Sequence, residues 1–434
     1  MTYLIRNARV LDPKSGRDET IDVLIDGSTI AALGTRAVAS PGTRVVDARG
    51  LWLIPGLCDL AARLREPGLE HKATLESELA AAVAGGVTSL VCPPDTDPPL
   101  DEPALVEMLK RRAASLGGAN VYPLGALTVG LNGEALTEMA ELAEAGCIGF
   151  SQANRPIVNT TVLLRAFEYA RTFDQVVWLS PIDAHLGRGG VAASGALAAR
   201  LGLPSVPVLT ETVALLTFFE LVRVSGCRLH IARLSSARGI ELVRRARAEG
   251  LPVTCDVSAN HLHLIDLDIG FFDTNYRLDP PLRSQRDRDA IRAGLLDGTI
   301  DAICSDHTPV DDDGKQIPFG EAEAGATGLE LLLSLTLKWA MEACLEPIRA
   351  LASITSAPAH LLGIPGGEIV EGGPADMCLL DPHAFWTVSH ASLKSQGKNS
   401  PFDGYELPAR VLATFVAGQL AFSAPDYASR LDAS

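Results

Sequence analysis

Apolar and polar positions in the middle of the chain follow two periods that alternate. Short apolar runs, typical of strands buried on both faces, recur about eight times. They are Leu51–Leu57, Val87–Cys92, Val121–Leu124, Ile148–Phe150, Val176–Leu179, Arg228–Ile231, Val253–Asp256 and Ile300–Cys304. Between them, apolar residues return every three or four positions, as on one face of a helix. These stretches are Thr74–Ala84, Ala104–Leu116, Ala135–Ala145, Val208–Val224, Gly239–Ala248 and Arg286–Leu296.

Strands that alternate with helices in this number predict a (β/α)8 TIM-like barrel, which we assign to residues 51–365. In such barrels the chemistry lies at the carboxyl ends of the strands. The residues that follow each strand are therefore the candidate functional residues.

The two ends of the chain have a different pattern. Residues 1–50 contain short alternating runs separated by Gly, Pro and Asp, which is typical of an antiparallel sheet. Residues 366–434 return to this pattern in Ala375–Asp381 and Val411–Gly418. We therefore predict that the two ends together form one small β-sandwich beside the barrel, within an α/β fold.

The composition limits which binding partners and which cellular compartment we expect for this protein. The formal charge is 37 − 53 = −16, which disfavours binding to nucleic acid or to an anionic membrane. No apolar run approaches the ~20 residues of a membrane-spanning helix. The amino terminus lacks the apolar core of a signal peptide. The eight cysteines are scattered singly, which indicates buried thiols in a reducing compartment. We therefore expect a cytoplasmic protein.

Several short motifs, spread over essentially the whole chain, together carry one resemblance. They are GLCDLAARLREPG, AGGVTSLVCPPDTDPP, AGCIGFSQANRP, LHIARLSS, RLDPPLR, DGTIDAICSDHTP and NSPFDGYEL. This set resembles the dihydroorotase family of the amidohydrolase superfamily, whose members bind zinc at the ends of barrel strands one, four, five, six and eight. Hydantoinases and allantoinases share several of these motifs, whereas DPPLR and the NSPF stretch point to dihydroorotases.

The resemblance implies which residues occupy the family's metal positions. They are Ala61 and Arg63 after strand one, Gln152 and Ala153 after strand four, Ser180 after strand five, Arg233 after strand six and Asp306 after strand eight. Only Asp306 is a residue type that the family uses there, where it is also the general base. A guanidinium group is always charged and has no lone pair for a metal. We therefore predict that the ancestral zinc is lost, that no metal or cofactor binds, and that Asp306 is vestigial.

The resemblance also implies vestigial substrate positions, which are Arg65, Asp95, Asp279 and His307. Arg65 stands where the family holds the carboxylate of dihydroorotate. Asp95 and Asp279 replace family asparagines with carboxylates, which cannot donate a hydrogen bond and would repel an anionic substrate. For His307, and likewise for His230, a structural role is the preferred interpretation.

Two further predictions concern charged and metal-binding side chains at the barrel mouth. A buried Asp306 without zinc would cost several kcal/mol unless it were paired. We therefore expect Arg63 or Arg233 to pair with Asp306, with Asp95 or Asp279 joining them. His261 and His263 form an HxH pair, but a metal site there is disfavoured because the family uses this segment for substrate contact.

Within the family, the resemblance is closest to the noncatalytic dihydroorotase-like chains that accompany aspartate carbamoyltransferase in some bacteria. It implies a structural partner of that transferase's catalytic chains in de novo pyrimidine (UMP) biosynthesis, and a homo-oligomer, taken as a dimer. Two alternatives stay open: an active dihydroorotase-type cyclic amide hydrolase with an unusual metal site, and a sensor of small anions such as a pyrimidine intermediate. The acidic loop Val310–Lys315 is expected to be mobile, as a lid or a contact.

Overall fold

The computed structural model describes residues 1–425 and residue 427, so residues 426 and 428–434 of the predicted small domain lie outside the described part. The strands are β1 (Thr2–Asp12), β2 (Arg17–Asp26), β3 (Thr29–Leu33), β4 (Arg44–Asp47), β5 (Trp52–Pro55), β6 (Leu57–Asp59), β7 (Val87–Cys92), β8 (Asn120–Pro123), β9 (Gly125–Ala126), β10 (Phe150–Ser151), β11 (Val176–Leu179), β12 (Ala192–Ala193), β13 (Ser205–Val206), β14 (Arg228–Ile231), β15 (Val253–Ser258), β16 (Ala302–Cys304), β17 (Met377–Thr387), β18 (Glu406–Val416) and β19 (Gln419–Ser423).

The helices surround these strands. They are α1 (Leu75–Ala84), α2 (Pro103–Leu116), α3 (Met139–Ala145), α4 (Thr160–Thr172), α5 (Ala196–Leu201), α6 (Leu209–Ser225), α7 (Ala237–Ala248), α8 (Ala259–His263), α9 (Gln285–Leu296), α10 (Asp312–Lys315), α11 (Leu332–Glu342), α12 (Pro347–Ala352) and α13 (Ser356–Leu362). None of the helices in the described residues is both long enough and apolar enough to cross a membrane. All cysteines are buried except Cys344, which is exposed just after α11.

The barrel consists of parallel strands in two ladders. One has the order β6-β7-β8, and the other has the order β9-β10-β11-β14-β15-β16. The third barrel strand continues from β8 into β9, because the Leu124 N–H donates to Cys92 O and the Gly125 N–H to Gly149 O. A parallel bridge between Ala62 and His307 joins the residues that follow the first and eighth strands. The predicted (β/α)8 barrel is confirmed.

The first predicted strand divides between two sheets. Trp52–Pro55 pairs with β1 and β17 in the small domain, whereas Leu57–Asp59 pairs with β7 in the barrel. Gly56 separates the two pieces, and a Cβ atom there would collide with the side chain of Thr88. The change of sheet therefore needs a glycine, although the apolar run itself shows no break.

The small domain is one eight-stranded sheet in which strands from both ends of the chain are neighbours, in the order β19-β18-β17-β5-β1-β2-β3 with β4 beside β1. β1 pairs with β4 along its first half and with β5 along its second half. The strands enclose a separate core that includes Tyr3, Ile25, Leu53, Leu379 and Phe415. The predicted sandwich built from the two ends of the chain is therefore present.

Seven of the described helices lie outside the helical stretches that the sequence pattern predicts, and α4 and α11 are the two longest of these. In α4 the Asn159 side chain caps the Thr161 N–H at 3.0 Å, and Leu163 and Phe167 are buried, so a helical signal was present. In α11, by contrast, most residues are buried on every side. A helix that is buried over most of its surface has only a narrow polar face by which its period could be recognised.

Glu78 of α1 connects the barrel with the carboxyl-terminal segment. It is fully buried and accepts hydrogen bonds from His307 Nε2 at 2.6 Å, Ser395 Oγ at 2.7 Å and Gln396 N at 3.0 Å. His307 Nδ1 accepts the Gly328 N–H at 3.1 Å, which leaves Nε2 to carry the proton. Burial opposes the charge of Glu78, but His307, together with hydrogen bonds from Ser395 and Ser77, outweighs burial and lowers the Glu78 pKa.

We expect Glu78→Gln to destabilise the fold by about 1–3 kcal/mol near pH 7, because buried donors lose a charged acceptor. A lowered carboxyl pKa stabilises the folded state above the unfolded-state pKa, and this contribution disappears as the pH falls through the folded-state pKa. The difference between wild type and variant should therefore shrink in melting curves recorded at about pH 4. Glu76→Gln, exposed on the same helix, is the matched control. A difference that stays constant over this pH range would contradict the assignment.

Candidate functional site

Asp256 of β15 positions the arginine that follows the sixth barrel strand. One oxygen of this buried carboxylate accepts the Arg233 backbone N–H at 2.8 Å. The other oxygen contacts His230 Nε2 at 2.8 Å, and His230 Nδ1 contacts Thr254 Oγ1 at 2.9 Å. His230 is therefore a structural histidine inside the barrel, as predicted. Arg233 itself has a left-handed backbone, with φ of 57°.

Arg233 and Asp306 form a buried ion pair at the barrel mouth. Arg233 Nη1 lies 3.1 Å from Asp306 Oδ1, and each residue is 5% exposed. Arg233 Nη2 donates to Ser180 Oγ at 2.5 Å. Burial opposes the charge of Arg233, but Asp306 and Asp279 outweigh burial and raise the Arg233 pKa. The predicted pairing of a mouth arginine with Asp306 is confirmed.

Arg63 forms a second ion pair beside the first. Its Nε lies 2.7 Å from Asp95 Oδ2, its Nη1 donates to Thr308 Oγ1 at 3.0 Å, and the same Nη1 lies 3.9 Å from Asp306 Oδ1. Burial would raise the Asp95 pKa, but the charge of Arg63 and the hydrogen bond from it lower the pKa overall. Asp95 therefore joins the charged group, as expected.

Asn154 connects the two arginines, and the sequence interpretation did not assign it a role. Its Oδ1 accepts from Arg63 Nη2 at 3.3 Å and from Arg233 Nη2, while its Nδ2 donates to Asp279 Oδ2 at 2.9 Å. The sequence indicated a possible role only through the position of this polar residue shortly after the fourth barrel strand. The connected side chains, called the mouth cluster below, are Arg63, Asp95, Asn154, Ser180, Arg233, Asp279 and Asp306.

Other residues at the predicted positions lie apart from the mouth cluster. The Gln152 amide bonds to Thr128 Oγ1 at 2.9 Å, while Ala61 and Ala153 have no polar side chain. Both ring nitrogens of His307 are used within the protein, which favours its structural role. Arg65 Nε donates to Pro309 O at 3.0 Å, and within residues 1–425 and 427 no carboxylate oxygen lies within 4.0 Å of its guanidinium nitrogens.

The HxH histidines face different segments of the backbone. His261 Nε2 lies 3.2 Å from Pro281 O, and His263 Nε2 lies 2.9 Å from Leu335 O. Burial lowers the pKa of both imidazoles to about 4. Because the two rings bond to separate carbonyls, they do not form a shared ligand set.

The mouth cluster does not suit a zinc ion. Zinc needs imidazole, thiolate or carboxylate groups that converge with free lone pairs. In the part of the chain that the structure describes, no group of three or more His, Cys, Asp and Glu side chains could hold a metal ion. Asp306 instead faces two guanidinium groups, at 3.1 and 3.9 Å. These cations would repel a metal ion placed between them.

Lys315 anchors the loop that follows the eighth strand, which the sequence predicts to be mobile. Its ammonium group donates to Thr274 O at 3.0 Å, Arg277 O at 3.3 Å, Glu323 O at 2.8 Å and Gly325 O at 2.9 Å. Lys315 is 8% exposed. Burial, and to a smaller extent the charge of Arg277, lowers its pKa to about 7. The ammonium group holds this loop against the segment before Asp279.

The fold, a (β/α)8 barrel with a small β domain, defines the structural class of the protein. The structure resembles an L-hydantoinase (dihydropyrimidinase) from Arthrobacter aurescens with a TM-score of 0.86 at 23% identity, over 96% of this chain and 95% of that chain. A dihydropyrimidinase from Brevibacillus agri gives a TM-score of 0.84 at 20% identity, over 97% and 95%. Likeness at this level of identity shows the fold alone.

Sequence comparison narrows the class to a family. The family model described as dihydro-orotase-like matches residues 50–238. A "dihydroorotase-like protein" of Pseudomonas putida is 44% identical over 97% of this chain and 99% of that protein. A "dihydroorotase" of Anaeromyxobacter sp. strain K is 41% identical over 96% of each. The chain therefore belongs to the dihydroorotase-like family.

We expect Arg233→Met to destabilise the fold by about 3–5 kcal/mol, because it leaves a buried carboxylate without its principal partner. Asp306→Asn alone should also destabilise, and the double variant should be more stable than the sum of the two losses predicts. Urea denaturation of all four proteins gives the coupling energy. Additive losses would show that Arg233 and Asp306 are not coupled.

Lys315→Met should remove the ammonium donor from four carbonyl groups, at a cost of about 1–3 kcal/mol, although three of them keep a second donor. Because the loss is local, residues 310–325 should become the first site of cleavage in limited proteolysis. Lys394→Met, at an exposed position, controls for removal of a lysine. Unchanged cleavage in Lys315→Met would mean that Lys315 does not hold the loop.

Proposed function

We propose that this chain is a catalytically inactive dihydroorotase homologue that serves as a structural partner of aspartate carbamoyltransferase in de novo pyrimidine biosynthesis. The observation that carries the first half of the proposal is the ion pair between Arg233 and Asp306. At the positions that the resemblance assigns to a metal ligand and to the general base, the chain has a guanidinium bonded to a carboxylate. The carboxylate at the general-base position is thus bonded to a cation and does not face a metal-bound water.

The dependence of this hydrolysis on zinc supports the same proposal. In this class of reaction the metal lowers the pKa of water and polarises the carbonyl group. The mouth cluster contains cations in fixed positions, but an arginine cannot bind and deprotonate water as zinc does. An intact barrel with such a mouth suits a role that depends on shape.

The transferase partner rests on the resemblance of the sequence to noncatalytic dihydroorotase-like chains. The acidic surface, with a net charge of −16, agrees with assembly against a basic face, but does not identify it. Nothing in this role requires the mouth to bind a substrate.

If the chain is catalytically inactive, protein purified without chelator should contain far less than one zinc ion per chain. It should also show no turnover of dihydroorotate, with or without added zinc. The measurements are metal analysis by mass spectrometry and an assay of ring opening. The dihydroorotase of Anaeromyxobacter sp. strain K, treated in parallel, is the positive control. Stoichiometric zinc together with turnover would refute the proposal and favour the active hydrolase with an unusual metal site.

If the chain is a structural partner, it should co-elute with the aspartate carbamoyltransferase chain of the same organism. Without this chain, the transferase should be less active or should fail to assemble. Size-exclusion chromatography with a transferase assay measures both. Arg65→Gln, a change at the vestigial substrate position, should leave assembly and activity unchanged. A transferase that is fully active and correctly assembled alone would rule out the structural role.

One observation favours the sensor as a second candidate. Within the described residues, the guanidinium of Arg65 has no ion-pair partner, and burial lowers its pKa to about 10. Thermal-shift measurements with dihydroorotate and carbamoyl aspartate address this role. A rise in melting temperature that disappears in Arg65→Gln would support it.

A further inference from the structure

A cavity of about 270 Å³ opens beside the mouth cluster, and no step of the proposed function uses it. Its lining includes Asn154, Ser180, Arg233 and Asp279 of the mouth cluster, and also Thr210, Arg277 and Arg283. The volume is just below the usual range of about 300–1,000 Å³ for ligand pockets, so only a small molecule would fit. The position of Arg65 is not part of its lining.

Arg277 contributes a positive charge to this cavity without an ion-pair partner. Among the described residues its guanidinium makes one hydrogen bond, from Nη1 to Leu278 O at 3.3 Å. Its Nε atom is buried and has no partner in that part of the chain. A buried donor without an acceptor is unfavourable by about 1–3 kcal/mol, and more for a charged group. An acceptor in the cavity would remove this cost.

Thr210 provides a second unpartnered polar group in the same cavity. The residue is 4% exposed, and its hydroxyl oxygen is buried without a hydrogen-bond partner among the residues described. Its backbone groups are satisfied, since the N–H donates to Pro207 O at 3.1 Å and the carbonyl accepts the Asp183 N–H at 3.0 Å. The free group is therefore the side-chain hydroxyl.

The carboxylates that line the cavity are occupied elsewhere. Glu211 accepts four hydrogen bonds, from the N–H and hydroxyl groups of Ser235 and Ser236. Asp183 accepts two backbone N–H groups of the loop that follows it. Asp279 accepts the side-chain amide of Asn154 in the mouth cluster. None of these carboxylates lies within 4.0 Å of a guanidinium nitrogen of Arg277.

Arg283 adds a second cation. It is 4% exposed and donates from Nη1 to Val206 O at 2.9 Å and from Nε to Ser235 Oγ at 3.3 Å, so its described partners are neutral. Two guanidinium groups without carboxylate partners create a positive potential inside a chain of net charge −16. These two guanidinium groups therefore favour an anion over a cation in the cavity.

We propose that this cavity binds the carboxylate or phosphate group of a small anionic metabolite, with Arg277 and Thr210 as its donors and Arg283 as a source of positive potential. An oxyanion accepts hydrogen bonds from both arginine and hydroxyl groups. The site does not include Arg65, where the family holds its substrate carboxylate, but it shares Ser180, Arg233 and Asp279 with the mouth cluster. It does not rest on the proposed scaffold role and would exist in either candidate function.

Isothermal titration of the full-length protein with inorganic phosphate and with succinate tests the proposal at constant ionic strength. We expect one of the two to bind, and the tighter ligand shows whether the site prefers phosphate or carboxylate. Arg277→Gln and Thr210→Val should each raise Kd about tenfold or more. Arg65→Gln and Arg200→Gln, the latter at an exposed position, should leave Kd unchanged. Melting curves of each variant show that it is folded.

Two results would overturn the proposal. One is the absence of binding of both probes at millimolar concentration. The other is binding that weakens in Arg65→Gln, or that stays the same in both Arg277→Gln and Thr210→Val, because the anion would then lie elsewhere. If Arg277→Gln fails to fold, Thr210→Val decides the outcome, since it removes one hydroxyl and keeps the volume of the side chain.

Discussion

The barrel mouth depends on one interaction, the buried pair of Arg233 and Asp306. Moving either charge alone out of water is very unfavourable, and only close contact with the opposite charge and further hydrogen bonds make burial possible. The structure supplies both, with 3.1 Å between Nη1 and Oδ1 and with Ser180 and Asn154 on the other guanidinium nitrogen. Every other member of the mouth cluster is placed by its contact with one of these two residues or with their partners.

The backbone at the mouth retains a geometry that its side chains do not favour. Arg65, Ala153, Arg233 and Asp306 all have φ between 50° and 63°. A left-handed conformation at a residue other than glycine costs on the order of 1–3 kcal/mol and persists only where the surrounding structure imposes it. Here the surroundings are the strand ladders and buried carboxylates such as Asp256, which fixes the Arg233 N–H. The strand ladders and Asp256 thus fix the backbone from which the side chains of the mouth cluster extend.

Much of this arrangement follows from sequence, and the exceptions have physical causes. The pairing of Arg233 with Asp306 could be predicted because a buried carboxylate requires a cation. The role of Asn154 could not, since an amide suits many surroundings and its partners come from distant strands. Lys315 lies in an acidic run typical of a solvated loop, and only tertiary contacts bury it among carbonyls. Trp52–Pro55 and the next strand form one apolar run, so their division between two sheets depends on packing and not on pattern.

The mouth cluster joins strand ends that a metal ion could otherwise connect. A zinc ion would crosslink the ends of several strands through its ligands. Arg63, Asn154, Ser180, Arg233 and Asp306 follow strands one, four, five, six and eight, and hydrogen bonds and ion pairs connect them continuously. Each contact is weaker than a metal–ligand bond, but together they join the same strand ends. A mouth joined in this way keeps the strand ends in place through side chains of the chain itself. The partner role proposed for this chain would require a barrel whose shape is fixed in this way.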